Sequence, residues 1–200
     1  MPLKLGANPI NLMRDQVGNS EFYKLNLDRS ATMINRALED YLLQERVLSE
    51  YDIDTVIHRG AQTQVTIANR NPLSTFESNI KGTRCLMEAT HRNTQVERIV
   101  VASSNKAYAS AEKLPHTEET PLEGTLPYDS SKVCAERINM GYAQAYALNI
   151  TVTRCRNFNG GGDLNFNRII LGTTRSVLFN QTKFCAPMAN PRVNTSMFWV

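Results

Sequence analysis

The chain has 200 residues, 42% of them hydrophobic and 20% charged, a balance that suits one sizeable folded core or one domain with part of a second. No apolar run approaches the ~20 residues of a membrane-spanning helix. The opening Met1-Pro2-Leu3-Lys4-Leu5-Gly6 has one lysine and no apolar stretch behind it, unlike a secretory leader, so a cytoplasmic location is expected. The net charge of +3 is dispersed, with Arg14, Lys24, Arg29, Arg36 and Arg46 set among acids. That spread excludes a nucleic-acid surface and leaves room for a local groove that takes a phosphorylated ligand. Cys85, Cys134, Cys155 and Cys185 form no C-x-x-C pair and have no histidine at zinc spacing, so they read as reduced packing thiols with no metal.

In chain order, Pro9 to Met13 is a short apolar run that ends at Arg14-Asp15, and Asn19 to Ser30 reads as a polar loop. Leu38 to Tyr51 has helical periodicity, with Leu42, Leu43, Val47 and Leu48 on one face. Asp54 to His58 is a short β-branched strand. A long helix is expected from Asn71 to Arg92, capped by Asn71, with Pro72 in its first turn and an apolar stripe of Leu73, Phe76, Ile80, Thr83 and Met87. Arg98 to Ser103 is a strand whose consecutive apolar residues predict cover on both faces. A second long helix spans Pro127 to Leu148, followed by a strand over Ile150 to Arg154 and a last helix over Asn167 to Phe179. Gln181 to Val200 reads as an irregular tail. Alternating strands and helices predict an α/β fold with a doubly wound parallel sheet.

Four segments could carry chemistry. Tyr128 and Lys132 are one helical turn apart, and an ammonium beside a phenol favours the phenolate, lowering its pKa from about 10. Such a phenol can accept a hydroxyl proton while hydride leaves the same carbon. Alone, Y-x-x-x-K is more often a surface pair. The second segment is Ala102-Ser103-Ser104-Asn105-Lys106-Ala107-Tyr108, at the carboxyl end of an apolar strand, where a parallel sheet faces its ligand. Ser104 there could share a substrate oxygen with Tyr128, or could simply end the strand in a serine-rich turn. The third is Val56-Ile57-His58-Arg59-Gly60-Ala61-Gln62, whose small residues let a cofactor approach the backbone, together with the mid-helix amide of Asn79, which reads equally well as a satisfied structural group. The fourth, Arg154 to Asp163, carries three successive glycines after a strand, suited to phosphate or ribose contact or to a plain connection.

Taken with Ala68-Asn69-Arg70-Asn71-Pro72, Ser74 to Thr83 and Gly160 to Arg168, these segments resemble the extended short-chain dehydrogenase/reductase superfamily. Within it the chain is similar to the NAD-dependent epimerase/dehydratase group, most of all to the CDP-glucose 4,6-dehydratases, over about Leu38 to Leu178. The resemblance implies a Rossmann-like sheet, NAD as cofactor and a nucleotide-sugar substrate. It implies oxidation at C4 of the glucose unit, loss of water across C5 and C6, and return of hydride to C6. Tyr128 and Lys132 would act at the C4 hydroxyl and the nicotinamide ribose, Ser104 would bind the C4 oxygen, and Asn105 and Lys106 occupy the positions of the elimination acid and base. Arg14, Asp15, His58, Gly60 and Ala61 would face the cofactor, and Gln62, Asn79, Asn157, Asn167 and Arg168 the substrate. The 71–92 and 127–148 helices would pair across a homodimer.

The departures from the family pattern are also specific. The resemblance would place a glycine-rich strand-turn-helix ahead of Gly6 and more of the substrate lobe after residue 200, and residues 1–200 are expected to hold neither. The expectation is therefore a partial NAD-binding domain over residues 1–160, lacking the first βα unit, with the start of a substrate lobe and a tail over 161–200. Weak NAD⁺ binding is expected with it. Asn105 stands where the family has an aspartate, Arg59 where it has an apolar residue, Ala37 where an aspartate reaches the adenine, and Arg156 and Asn159 where it has a glycine and a tyrosine. Three readings stay open: a dehydratase, a nucleotide-sugar 4-epimerase, and a catalytically impaired relative that keeps the fold and a dimerisation surface.

Overall fold

The computed structural model describes residues 6–16, 18, 20–108, 115–156, 163, 166 and 168–181. They divide into two compact units. One comprises residues 10–15 and 33–156, and the other draws on 1–9, 16–32 and 157–200.

The first unit holds a three-stranded parallel sheet in the order β3 (Thr55–His58), β4 (Arg98–Ala102), β5 (Ile150–Thr153). Its register pairs His58 with Val101 and Ala102 with Thr153. The crossovers are helical: α3 (Val65–Arg70), α4 (Pro72–Phe76) and α5 (Gly82–Arg92) join β3 to β4, and α6 (Pro127–Tyr146) joins β4 to β5. Burial alternates along β4, so that Ile99 and Val101 point at α5 and α6 and pack with Leu86 and Met87, flanked by Val56, Ile138, Tyr142 and Val152. The apolar run of β4 predicted cover on both faces. Within this unit the opposite face is open instead, and Ile57 on it is 57% exposed.

A separate two-stranded sheet pairs β1 (Ile10–Met13) with β2 (Thr32–Asn35). Thr32 N–H bonds the carbonyl of Pro9 and Arg36 N–H that of Met13, at 3.0 and 3.2 Å. The same stagger at both ends is a parallel register. Sequence reading passed over β2, whose four residues are too few to display a period, and α3, whose Val-Thr-Ile start looks strand-like. The supposed polar loop over Asn19 to Ser30 contains α1 (Glu21–Lys24) and a 3₁₀ turn over Leu27–Ser30. In the second unit α7 (Ile169–Leu178) lies within the helix expected near the end of the chain. The expected tail lies outside the described residues beyond Gln181.

Two helices correct the expected apolar stripes. The helix α2 (Tyr41–Glu50) begins later than Leu38 because the Asp40 carboxylate caps it, accepting from Leu43 N–H at 3.1 Å. It buries Leu43, Gln44, Val47 and Leu48 and leaves Leu42 exposed. The long helix predicted over 71–92 does start at the Asn71 cap, which accepts from Ser74 N–H at 3.2 Å. It is not α-helical throughout. Glu77–Lys81 forms a π turn between α4 and α5, and Gly82 N–H bonds back to the carbonyl of Glu77, five residues earlier. The wider turn shifts the phase of α5 relative to α4, so one unbroken 3.6-residue stripe does not hold: Leu73 is exposed while Thr75, Ser78, Asn79, Thr83 and Met87 are buried.

Candidate active site

Tyr128 and Lys132 lie in the first two turns of α6, which opens with Pro127, whose fixed φ and missing N–H suit a helix start. Both are buried, as is Ser104. The Lys132 ammonium donates to the carbonyl of Ala102 at 3.1 Å, which places it at the carboxyl end of β4, two residues before Ser104. Burial lowers its pKa to about 8. Ser104 Oγ accepts from Lys106 N–H at 3.2 Å, and the following residues turn into a 3₁₀ helix over Asn105–Tyr108. Asn105 N–H bonds the carbonyl of Cys155, tying this turn to the end of β5, while Lys106 points to solvent. Asp129, next to Tyr128, is held above the usual carboxylate range by burial, partly offset by the Lys106 charge.

A network behind the strand ends fixes the turn. Glu136 is fully buried on α6; it accepts from Ser103 Oγ at 2.8 Å and from Arg154 Nε at 2.6 Å. Arg154 also donates to the Tyr108 hydroxyl at 2.8 Å and to the carbonyl of Glu118 at 3.0 Å, and its guanidinium lies over the Tyr108 ring. Its charged form is further stabilised by the bond to Glu136. No motif announced Glu136; the one sequence signal was its place one helical turn after Lys132, on the buried side.

A cavity of about 260 Å³ opens at the carboxyl ends of β1 and β3. Arg14, Asp15, Gly60, Ala61 and Gln62 line it, as the sequence suggested, and so do Arg36, Leu38, Glu39 and Ser78, which it did not single out. Arg14 pairs with Asp15 at 2.8 Å and donates to Ser78 Oγ at 3.1 Å, and Ser78 in turn donates to Glu39 at 2.8 Å. A β-carbon at Gly60 would meet the terminal methyl of Leu38, which would have to turn aside. Leu12, Leu38 and Ala61 give it apolar walls, and two carboxylates, Asp15 and Glu39, with two guanidiniums, Arg14 and Arg36, give it polar ones, a lining that could hold an adenosine moiety. The volume lies below the ~300–1,000 Å³ of a whole-ligand pocket, so it matches one part of a dinucleotide.

The remaining sequence candidates are placed as follows. His58 ends β3 facing the helices, with Nε2 3.0 Å from Thr83 Oγ1, and is not on the cavity wall. Thr83 spends its own proton on the carbonyl of Asn79 at 2.7 Å, so His58 must be the donor and carry its hydrogen on Nε2. Burial, then the Lys132 charge, lowers the His58 pKa to about 4. Both amide protons of Asn79 go to protein groups, the carbonyl of Gln62 at 3.1 Å and Ser131 Oγ at 2.9 Å. Arg168 belongs to the second unit and pairs with Asp163 at 2.8 Å. Asn157 and Asn167 lie outside the described residues.

Parallel strands with a cavity at the carboxyl ends of β1 and β3, and a buried tyrosine and lysine one turn apart beside the end of β4, define a Rossmann-fold core of the short-chain dehydrogenase/reductase kind. Comparison with known proteins narrows this. The model of the family described as GDP-mannose 4,6 dehydratase matches residues 11–183, and the chain belongs to that family of NAD-dependent nucleotide-sugar dehydratases and epimerases. A UDP-glucose 4-epimerase of Lactobacillus helveticus is 33% identical over 68% of this chain, and the CDP-glucose 4,6-dehydratase of Salmonella typhimurium 27% identical over 72%. The chain spans only 40% and 43% of those relatives' lengths. Among solved structures, the Thermotoga maritima UDP-glucose 4-epimerase with UDP-glucose superposes with a TM-score of 0.78 at 26% identity, covering 90% of this chain and 58% of the other. A dTDP-glucose 4,6-dehydratase double mutant of Streptomyces venezuelae with NAD bound gives 0.77 at 25%, covering 90% and 57%. Among the described residues no helix is long and apolar enough to cross a membrane.

Proposed function

We propose that the chain carries the oxidation site of a nucleotide-sugar 4,6-dehydratase acting on a CDP-glucose-like substrate. The observation that carries the reading is the burial of Lys132, one helical turn from Tyr128, with its ammonium on the carbonyl of Ala102 at the end of β4, two residues before Ser104. NAD, when bound, supplies the hydride acceptor. Arg14, Asp15, Gly60 and Ala61 would hold its adenosine end in the cavity they line. Lys132 keeps a positive charge below pH ~8, in a setting with little water to screen it, and so favours ionisation of the neighbouring phenol. Tyr128 then accepts the proton of the sugar's C4 hydroxyl as its hydride departs, and Ser104 Oγ donates to the same oxygen. Burial of all three groups excludes water from the step. Glu136 and Arg154 act indirectly, by fixing Ser103 and the turn that presents Ser104.

A second reading, a 4-epimerase, is favoured by Asn105. Its amide stands at the family's acid position and cannot donate a proton as a carboxylic acid does, which costs an elimination about 10²–10⁴-fold while leaving C4 oxidation untouched. Mass spectrometry of CDP-glucose, UDP-glucose and GDP-mannose incubated with the chain and NAD⁺ separates the two. Loss of one water marks the dehydratase, and a C4 isomer of unchanged mass marks the epimerase. No change in any of the sugars contradicts both.

A further inference from the structure

We infer that Arg59, with the N–H groups of Gly60 and Ala61, forms an anion cradle at the carboxyl end of β3, which takes the diphosphate of a ligand whose adenosine end lies in the neighbouring cavity. This rests on the cofactor reading in the function proposed above and adds a residue that reading does not use. The family pattern has an apolar residue in place of Arg59, so the guanidinium is a feature of this chain.

The charges at this end of the sheet are uneven. Those that line the cavity cancel, Arg14 and Arg36 against Asp15 and Glu39. Arg14 is held by Asp15 at 2.8 Å, and Glu39 accepts from Ser78 Oγ at 2.8 Å. Such a wall suits a neutral nucleoside and gives no net attraction to its phosphates. Arg59 stands one residue before Gly60, beside the cavity, and adds a positive charge that no carboxylate cancels. It follows the buried His58 and, like Ile57, is exposed. Among the described residues its side chain forms neither an ion pair nor a hydrogen bond.

The backbone adds donors. Gln62 N–H is spent on Asn79 Oδ1 at 2.7 Å, whereas the N–H groups of Gly60 and Ala61 bond no protein group among the described residues. Both residues line the cavity. Successive unspent N–H groups beside a guanidinium suit phosphate oxygens, which accept from all three. An arginine fits this task better than a lysine, because its planar fork meets two phosphate oxygens at once. Being exposed, its charge is also open to screening, so salt should weaken the binding of a charged ligand and leave a neutral one unaffected.

The test is an NMR titration of the nitrogen-labelled full chain with ADP and with adenosine, for the wild type, Arg59→Leu and Arg59→Lys. Arg98→Leu removes the same charge from the amino end of β4, at the other end of the sheet, and serves as the control. In the wild type ADP is expected to shift the Arg59 Nε–H and the Gly60 and Ala61 amides, and to bind about tenfold tighter than adenosine. Adenosine shifts amides of the cavity wall and leaves the Arg59 Nε–H in place. Arg59→Leu brings ADP down to the affinity of adenosine without changing adenosine itself, Arg59→Lys recovers part of the difference, and Arg98→Leu matches the wild type. An Arg59 Nε–H that stays in place while ADP shifts the cavity amides overturns the cradle. So does equal affinity of the wild type for ADP and adenosine, or no response of these groups to ADP at all. If ADP binds as described and NAD⁺ shifts none of the same signals, the cradle stands and the proposed function fails.

Discussion

Lys132 and His58 are buried bases whose neutral forms the fold favours, and each leaves its own signature in stability against pH. The Lys132 pKa falls from 10.5 to about 8 on folding, so between those values the unfolded chain holds a proton the folded chain has released. Stability contributed by this group therefore rises from pH 8 to 10.5. Urea unfolding should show the wild type gaining on the order of 3 kcal/mol relative to Lys132→Met across that range, and no relative gain below it. The His58 pKa falls from 6.5 to about 4, so its contribution is intact above pH 6.5 and is lost as pH drops toward 4. A His58→Gln chain should lack that part of the acid sensitivity, again on the order of 3 kcal/mol, when acid melts of the two are compared. Glu136 behaves differently because it is half of a buried ion pair. Glu136→Gln leaves Arg154 uncompensated and should cost about 3–5 kcal/mol in denaturant unfolding. A cost under about 1 kcal/mol would mean the pair is not desolvated.

Among the elements, α6 ends in a strained residue. Ala147 closes the helix at φ 55°, in the left-handed region that disfavours a β-carbon. Relief of about 1–2 kcal/mol exceeds the added unfolded-chain entropy of about 0.5–1 kcal/mol, so Ala147→Gly should raise Tm by a few degrees in a calorimetric scan. Elements were legible in the sequence where one signal was local and strong. The Asn71-Pro72 start, the apolar β4 and the proline-led α6 are of this kind. The stripes containing Leu42 and Leu73 misled because each was laid out at an uninterrupted 3.6-residue period. Asp40 starts its helix after Leu38, and the π turn inserts a phase shift that no composition marks. The same holds for the site: Tyr128, Lys132 and Ser104 stand out because spacing within one turn and position at a strand end are sequence properties. The bonds from Asn79 to Gln62 and Ser131, and from Glu136 to Arg154, join residues far apart in the chain and are set only by packing.

At the scale of the molecule, the carboxyl ends of strands from two parallel sheets, β1 of one and β3 and β4 of the other, carry the cavity and the buried Lys132. Under the proposed function, the cavity by β1 and β3 would take the part of the cofactor that fixes position, and the end of β4 would hold the groups that move a proton. The central claim is that Lys132 makes Tyr128 a base near neutral pH. The direct measurement is a pH titration of Tyr128 by NMR of ring-labelled tyrosine, the signal assigned with Tyr128→Phe, in the wild type and in Lys132→Met. A lysine ammonium beside the phenol favours phenolate, so the wild-type Tyr128 signal is predicted to move at lower pH than that of Lys132→Met. The same titration curve in both proteins would contradict the account.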